Sequence, residues 1–283
     1  MNLTTRLMKL GVILARFIPL KLADRIAVKV GVIYCYLSRE RRKAIKQNLQ
    51  HIFFGEKIGL EQLNQYLKRT FSNSACTKVD FFRLGSIAGE KIISSVKLIG
   101  ENNLREALNH NKGCVLLTLH IGNWDYAGSF LAALGFPMSA LVEETEPDVF
   151  ALYTKHRERT GMKTFSIAQS AYAFLHTIKN NRILAVLADR DIQRNGVTVD
   201  FFSGKRNIPK GLAQIVIKKN LPIIFGYLIL QRQGTHRYLG ILEKPVIFHG
   251  TEESLNRFIV ENFERIIRSY PDQWFVFQPE WLE

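Results

Sequence analysis

The chain has 283 residues, 47% of them hydrophobic, and a formal net charge of +14. That hydrophobic share excludes an intrinsically disordered chain, and the length is enough for one large core. Three widely spaced cysteines, Cys35, Cys76 and Cys114, form no CxxC pair and no Cys/His cluster, which argues against structural zinc and for reduced thiols facing the cytosol.

The charge is unevenly placed. Residues 1–50 hold eleven Lys or Arg against two acids, Asp24 and Glu40. Such asymmetry points to a polyanionic partner. The first 38 residues are rich in Leu, Ile and Val but are broken by Arg16, Lys21, Asp24, Arg25 and Lys29, and the longest uncharged run there, Val30 to Ser38, is nine residues. A spanning helix needs about 20 predominantly apolar residues, so the stretch is too short and too interrupted. It also lacks the uncharged core and cleavage site of a signal peptide. The reading is one or two amphipathic helices divided near Pro19, followed by the basic cluster Arg39, Arg41, Arg42, Lys43 and Lys46. That pattern predicts docking on an anionic membrane surface, with a helical hairpin packed on the core as the alternative. Nucleic acid is not expected. No helix-turn-helix, zinc-finger or RNP signature is visible, and the cations lie among aliphatics.

Leu60, Leu63, Leu67 and Phe71 share one helical face. From about residue 93, short apolar runs alternate with amphipathic stretches. Strands are predicted at 94–99, 114–119, 138–142, 183–188, 197–201, 223–230 and 238–242. Helices are predicted near 103–110, 124–134, 147–160, 171–180, 210–219 and 252–269. Alternation of this kind predicts an α/β fold with a mostly parallel central sheet flanked by helices. The expected division is a basic amphipathic helical membrane-docking region, 1–60, and an α/β catalytic domain, 61–283.

The segment LTLHIGNWDYAG, residues 117–128, carries the chemistry. An apolar strand ends on His120, a short loop with Gly122 and Asn123 follows, and a helix opens near Asp125. Strand ends in α/β folds are where sites are built. A carboxylate five residues after a histidine can fix the ring tautomer and leave the other nitrogen to take a proton from a substrate hydroxyl. Spacing alone does not separate this dyad from a helix-capping aspartate beside an ordinary histidine. A second match, His51 with Glu56, has no strand before it and reads as chance.

Glu143 and Glu144 follow the strand ending at Val142, and there they either hold a cation or begin a solvated loop. Lys155, Arg157 and Arg159 lie on the next helix, an ordinary solvated face unless one of them points at the His120 pocket. Asp189, Arg190 and Asp191 stand at another strand end. Gly204, Lys205 and Arg206 read as a tight basic loop before a helix opened by Pro209, an arrangement that favours phosphate. The alternative is a structural ion pair and a plain turn. The aromatic cluster of residues 269–281, beside Pro271 and Pro279, reads as closing core, with an interfacial lip as the alternative.

These motifs, in order, resemble the bacterial lipid A biosynthesis acyltransferases, the late lauroyl and myristoyl transferases, and are similar also to the phosphatidylinositol mannoside acyltransferases. The resemblance runs from the apolar-then-basic N-terminus through HIGNWD and the ADRD…VDFF block to PDQWF. It implies a glycerolipid-acyltransferase-like fold and a membrane-associated enzyme moving an acyl chain from a thioester onto a hydroxyl of a lipid A, glycolipid or lysophospholipid acceptor. His120 would be the general base and Asp125 its orienter. Glu143 and Arg157 fall where functional residues are expected, Arg157 across one gap. Asn123 and Trp124, between the two dyad residues, would bind substrate, with a backbone N–H near Trp124 as an oxyanion donor. Asp189, Arg190, Gly204 and Arg206 fall in the block that resembles the substrate-phosphate region. No metal or cofactor is implied beyond acyl-CoA or acyl carrier protein thioester as co-substrate. The implied location is the cytoplasmic face of the inner membrane, peripheral or monotopic. Two other readings stay open, a thioester hydrolase on the same scaffold and a non-catalytic basic membrane-binding protein. The absence of a G-x-S-x-G elbow counts against the hydrolase.

Overall fold

The computed structural model describes residues 3–282 apart from Thr145; the side chains of residues 3–9, the start of the expected amphipathic stretch, lie outside the described set. Two helices, α1 (Leu3–Phe17) and α2 (Leu20–Leu37), are separated at Pro19. This matches the break expected near Pro19, since proline ends the i→i−4 ladder of the preceding helix. The basic cluster forms α3 (Arg39–Ile52), and α4 (Leu60–Leu84) is the long helix against which α1, α2 and α3 pack. Among the described residues no helix is long and apolar enough to cross a membrane.

The body alternates as expected. In order it comprises α5 (Gly89–Ser94), β1 (Val96–Ile99), α6 (Glu101–Leu108), β2 (Cys114–Thr118), α7 (Trp124–Ala133), β3 (Met138–Val142), α8 (Pro147–Glu158) and β4 (Lys163–Ser166). Then come α9 (Ser170–Lys179), β5 (Ile183–Leu187), β6 (Val197–Phe201), β7 (Gly204–Ile208), α10 (Leu212–Lys219), β8 (Ile223–Leu230), β9 (Tyr238–Leu242), α11 (Glu252–Ser269) and β10 (Trp281–Leu282). Seven strands form one sheet in the order β1-β9-β8-β2-β5-β3-β4, parallel except for the β8–β9 pair. The fold is therefore α/β with a mostly parallel sheet covered by helices on both faces.

Strand β2 shows how the sequence builds two cores. Its side chains alternate across the sheet. Val115, Leu117 and Leu119 join a cluster with α9, α10 and α11, whereas Cys114 and Leu116 join a cluster with α4, α6 and α7. A cavity lined by Ala127, Gly128 and Leu131 of α7 lies on the second side.

Three expectations at the level of elements are corrected. Residues 204–206 are not a loop but the start of β7, which pairs with β6 and β10 in a separate antiparallel sheet. Pro209 does not open the following helix, which starts at Leu212. Strand β4 was not foreseen; four residues are too few to show a period, and β4 is held by its register with β3.

Candidate active site

Strands β2 and β5 are parallel neighbours, with Thr118 opposite Leu187. Two residues beyond that pair, the chains place His120 and Asp189 side by side. The His120 Nδ1 lies 2.7 Å from Asp189 Oδ1, and the His120 backbone N–H donates to both carboxylate oxygens at 3.1 Å. Trp274 Nε1 donates to Oδ2 at 2.8 Å. An acceptor-only carboxylate on Nδ1 fixes that nitrogen as the protonated one and leaves Nε2 as the free base. Among the described residues the His120 ring has no other hydrogen-bond partner. Asp189 is fully buried. Burial pushes its carboxyl up, but the His120 ring, the hydrogen bonds from His120 and Trp274, and the Arg206 charge outweigh burial and hold it down to about 2.

The expected partner of His120, Asp125, does something else. Arg157 donates to Asp125 Oδ1 from Nε at 2.9 Å and Nη2 at 2.6 Å. Asp125 sits in the first turn of α7, and the pair closes the space between α7 and α8. Both residues line the same cavity as His120. The structure thus brings His120, Asp125 and Arg157 together and replaces the His120–Asp125 contact by His120–Asp189.

The loop between His120 and α7 needs a special backbone. Gly122 has φ +57°, and a Cβ there would lie 1.8 Å from the Leu228 carbonyl oxygen. Only glycine passes this close to β8. Asn123 caps α7 by accepting from the Tyr126 amide at 3.1 Å, and donates to the buried Tyr238 hydroxyl at 2.8 Å. The Trp124 and Asp125 amides, in the same first turn, have no partner among the described residues. Trp124 sets its ring edge-on to His120, with centroids 5.2 Å apart. Phe275 N–H donates to the His120 carbonyl at 2.7 Å and closes the loop from the far side.

The cavity has a volume of about 410 Å³, within the range of small-molecule sites. Small residues keep its floor open: Ala140 on β3, Ala185 on β5, Gly226 on β8 and Gly240 on β9, with Ala127 and Gly128 of α7 above. At its polar end stand His120, Arg157, Glu143, Arg190, Arg41 and Lys78. Glu143 is exposed and makes no ion pair among the described residues. Arg190 donates from Nε to Glu280 at 2.7 Å. Lys78 Nζ donates to Tyr153 Oη at 3.0 Å.

Two expected substrate residues are elsewhere. Gly204 opens β7 against His51 and Trp281 and does not line the cavity. Arg206 is fully buried, and none of its three guanidinium nitrogens has a hydrogen-bond partner among the described residues. It lies over the rings of Trp274, Trp281 and Phe201 at 4.8, 5.1 and 5.3 Å. Burial lowers its pKa to about 10, against the opposing pull of Asp189 and Glu280. The strand pairing that replaced the expected loop turns this side chain inward, so it serves the aromatic wall behind Asp189 instead of a phosphate at the surface. His51 hydrogen-bonds Ser203 Oγ at 2.8 Å and stacks on Trp281, whereas Glu56 pairs with Arg268; these two are no dyad. Trp274 is a residue of the site that the sequence reading, closing core or interfacial lip, does not single out. Its sequence signal was its place beside Gln273 in the aromatic run, and nothing local pointed it at Asp189.

The profile of the bacterial lipid A biosynthesis acyltransferases matches residues 3–283. The chain is 25% identical over 208 residues to the phosphatidylinositol mannoside acyltransferase of Mycolicibacterium smegmatis, covering 71% of this chain and 67% of that protein. It is 26% identical over 212 residues to the protein of that name from Mycobacterium tuberculosis, covering 72% and 66%. A lipid A biosynthesis acyltransferase of Haemophilus influenzae is 23% identical over 267 residues, covering 93% and 82%. The chain spans about two thirds of the length of the mannoside relatives it matches.

Proposed function

The chain belongs to the bacterial lipid A biosynthesis acyltransferase family, and from that premise we propose that it docks on an anionic membrane and moves a fatty acyl chain from a thioester donor to a hydroxyl of a lipid acceptor. The observation that carries the reading is the His120 ring, fixed through Nδ1 by a buried Asp189, at the polar end of an apolar cavity. The acyl chain lies over the small residues of the sheet. Its carbonyl carbon meets the acceptor oxygen beside His120 Nε2.

A lipid hydroxyl is a poor nucleophile at neutral pH. His120 Nε2 takes its proton as the oxygen attacks the thioester carbonyl. The positive ring is then stabilised by Asp189, whose low pKa keeps it ionised. The tetrahedral oxyanion is met by the free first-turn amides of α7. Collapse of the intermediate breaks the C–S bond, and the departing thiolate recovers the proton from His120. No serine or cysteine side chain bonds to His120 among the described residues, which supports direct transfer over an acyl-enzyme. Asp125 holds Arg157 at the same end of the cavity, where the guanidinium serves an anionic group of donor or acceptor. The donor is an acyl thioester of coenzyme A or of acyl carrier protein, and the acceptor a lipid A precursor, a glycolipid or a lysophospholipid.

Docking is supported by the N-terminal helices. Large apolar side chains of α1 and α2 face outward, Phe17 at 82% and Leu37 at 78% exposure. With the cations of α3 beside them they suit a peripheral seat on the cytoplasmic face of the inner membrane. The test is an acyl-transfer assay in detergent, with acyl-CoA and acyl carrier protein thioesters, a panel of lipid acceptors and detection by mass spectrometry. An acylated lipid that falls about 10²- to 10⁴-fold in His120→Ala is the expected result. Free fatty acid as sole product would assign a hydrolase.

A further inference from the structure

A second cavity, about 580 Å³, opens between α2 and the β8–β9 hairpin and shares no lining residue with the first. Helix α4 separates the two: Ser74 and Lys78 face the catalytic cavity, and Cys76 faces this one. The inner wall is apolar, with Val28, Cys76 and Leu230; the rim carries Arg25, Lys29 and Arg232 together with exposed Leu22 and Ile26.

The cations of this cavity are of two kinds. Arg237 is already neutralised, with Nη1 and Nη2 on the Asp24 carboxylate at 2.7 and 2.8 Å and Nε on Asp80 at 2.7 Å. Arg25, Lys29 and Arg232 have no carboxylate partner among the described residues. Arg232 is nevertheless held in place. Its Nε and Nη2 donate to Asn73 Oδ1 at 2.9 and 2.7 Å, and the buried Asn73 donates in turn to the Asp272 carbonyl at 3.0 Å. Its Nη1 is left with no partner among the described residues. A guanidinium anchored through a neutral amide, with no carboxylate hydrogen-bonded to it, loses little freedom on meeting an anion.

We infer that this cavity binds the phosphate headgroup of an anionic phospholipid, at a site separate from acyl transfer. Three cations without a hydrogen-bonded carboxylate line one recess, Arg232 within the field of the Asp272 carboxylate, and their chemistry matches a phosphate oxyanion. Leu22 and Ile26 at the same rim suit the glycerol and the first methylenes of a lipid, which a free phosphate lacks. The recess opens on α2, the helix with the outward apolar face, so a lipid in the docked leaflet reaches it without leaving the membrane. The inference rests on the docking reading in this respect. Arg237 in the wall joins the site to the body, since Asp80 also accepts from Tyr238 Oη, which in turn receives the Asn123 amide. An occupied site therefore lies at the seam between the docking helices and the catalytic loop.

The experiment titrates the full chain with dihexanoyl phosphatidylglycerol below its micellar concentration, with dihexanoyl phosphatidylcholine, and with inorganic phosphate. The wild type should take one phosphatidylglycerol per chain, at least tenfold tighter than either of the others. Arg25→Gln/Lys29→Gln should weaken it about tenfold or more. Arg232→Lys, which keeps the charge but loses the anchored fork, should weaken it about fivefold. Arg16→Gln/Lys21→Gln, equal in charge removed but outside the cavity, should stay within twofold. Equal losses in the cavity and control variants, or an Arg232→Lys affinity equal to wild type, would overturn the site in favour of a diffuse basic surface. Phosphate binding as tight as the lipid would overturn the lipid assignment. So would an acidic carrier protein whose binding needs Arg25 and Lys29 while the lipid titration does not. Docking is read separately by sedimentation with phosphatidylglycerol vesicles. Phe17→Ser/Leu37→Ser should lose sedimentation and keep its short-chain lipid affinity. Wild-type sedimentation that this variant leaves intact sinks the docking reading alone.

Discussion

Helices α2 and α11 are both 18 residues long and both amphipathic, yet they bury opposite things. Helix α11 buries Leu255, Ile259, Val260, Phe263, Ile266 and Ile267 against the sheet and leaves its charges outside. Helix α2 buries Ala23, Ala27, Gly31 and Cys35, one per turn, and turns Leu22, Ile26, Val30, Ile33 and Leu37 outward. Its small face is needed for contact with α4: a Cβ at Gly31 would stand 2.7 Å from the Phe71 carbonyl oxygen. In water the hydrophobic effect drives large apolar side chains inward. A helix that packs by its smallest residues and presents its largest ones is the observation that supports the proposed docking on a membrane. The lesson is that the amphipathic pattern says a helix has two faces, and packing decides which face meets the protein.

That contrast separates variants by what they damage. The largest effect belongs to the buried side. Asp189→Asn leaves the His120 Nδ1 bond without its charge, and turnover should fall about 10²- to 10⁴-fold while vesicle sedimentation is unchanged; loss of both together would mean the fold itself had failed. Next, Phe263→Ala in α11 should cost about 3–5 kcal/mol in urea unfolding. Acid should act through the same interior. The Asp189 carboxyl is depressed to about 2 in the folded protein, against about 3.9 in an unfolded chain. Its contribution of roughly 2 kcal/mol is therefore complete above pH ~4 and lost as pH falls through ~2. Urea midpoints from pH 5 to 2 should show this slope in the wild type and lack it in Asp189→Asn. The smallest stability effect belongs to the outer face. Ile33→Ser should lie within about 0.5 kcal/mol of wild type, with its loss appearing in vesicle binding instead. A stability cost as large as that of Phe263→Ala would erase the contrast between the helices.

Much of the body was legible because its signals are local. Strands β3, β6, β8 and β9 have the expected bounds, being apolar or alternating runs punctuated by turns. His120 was legible for the same reason, as a polar residue ending an apolar strand. Its partner was not. Asp125 is near in sequence, but the helix that starts at Trp124 carries it toward Arg157. Asp189 is distant in sequence and reaches the ring because β2 and β5 are neighbours in a register no local pattern states.

Arg206 makes the same point from the other side. Read along the chain, Gly204, Lys205 and Arg206 form a basic turn; paired opposite Val199 and Trp281, Arg206 points into an aromatic cage. The sequence by itself determined the class of fold, the positions of most elements, the two-helix basic N-terminus and the histidine at the end of β2, since each follows from spacing and composition within a few turns or strand lengths. Only the tertiary structure decided which aspartate holds that histidine, which arginine faces the cavity and which is buried, and which side of α2 is left uncovered. Those outcomes depend on strand order and helix packing, and both are set by contacts between residues far apart in the chain.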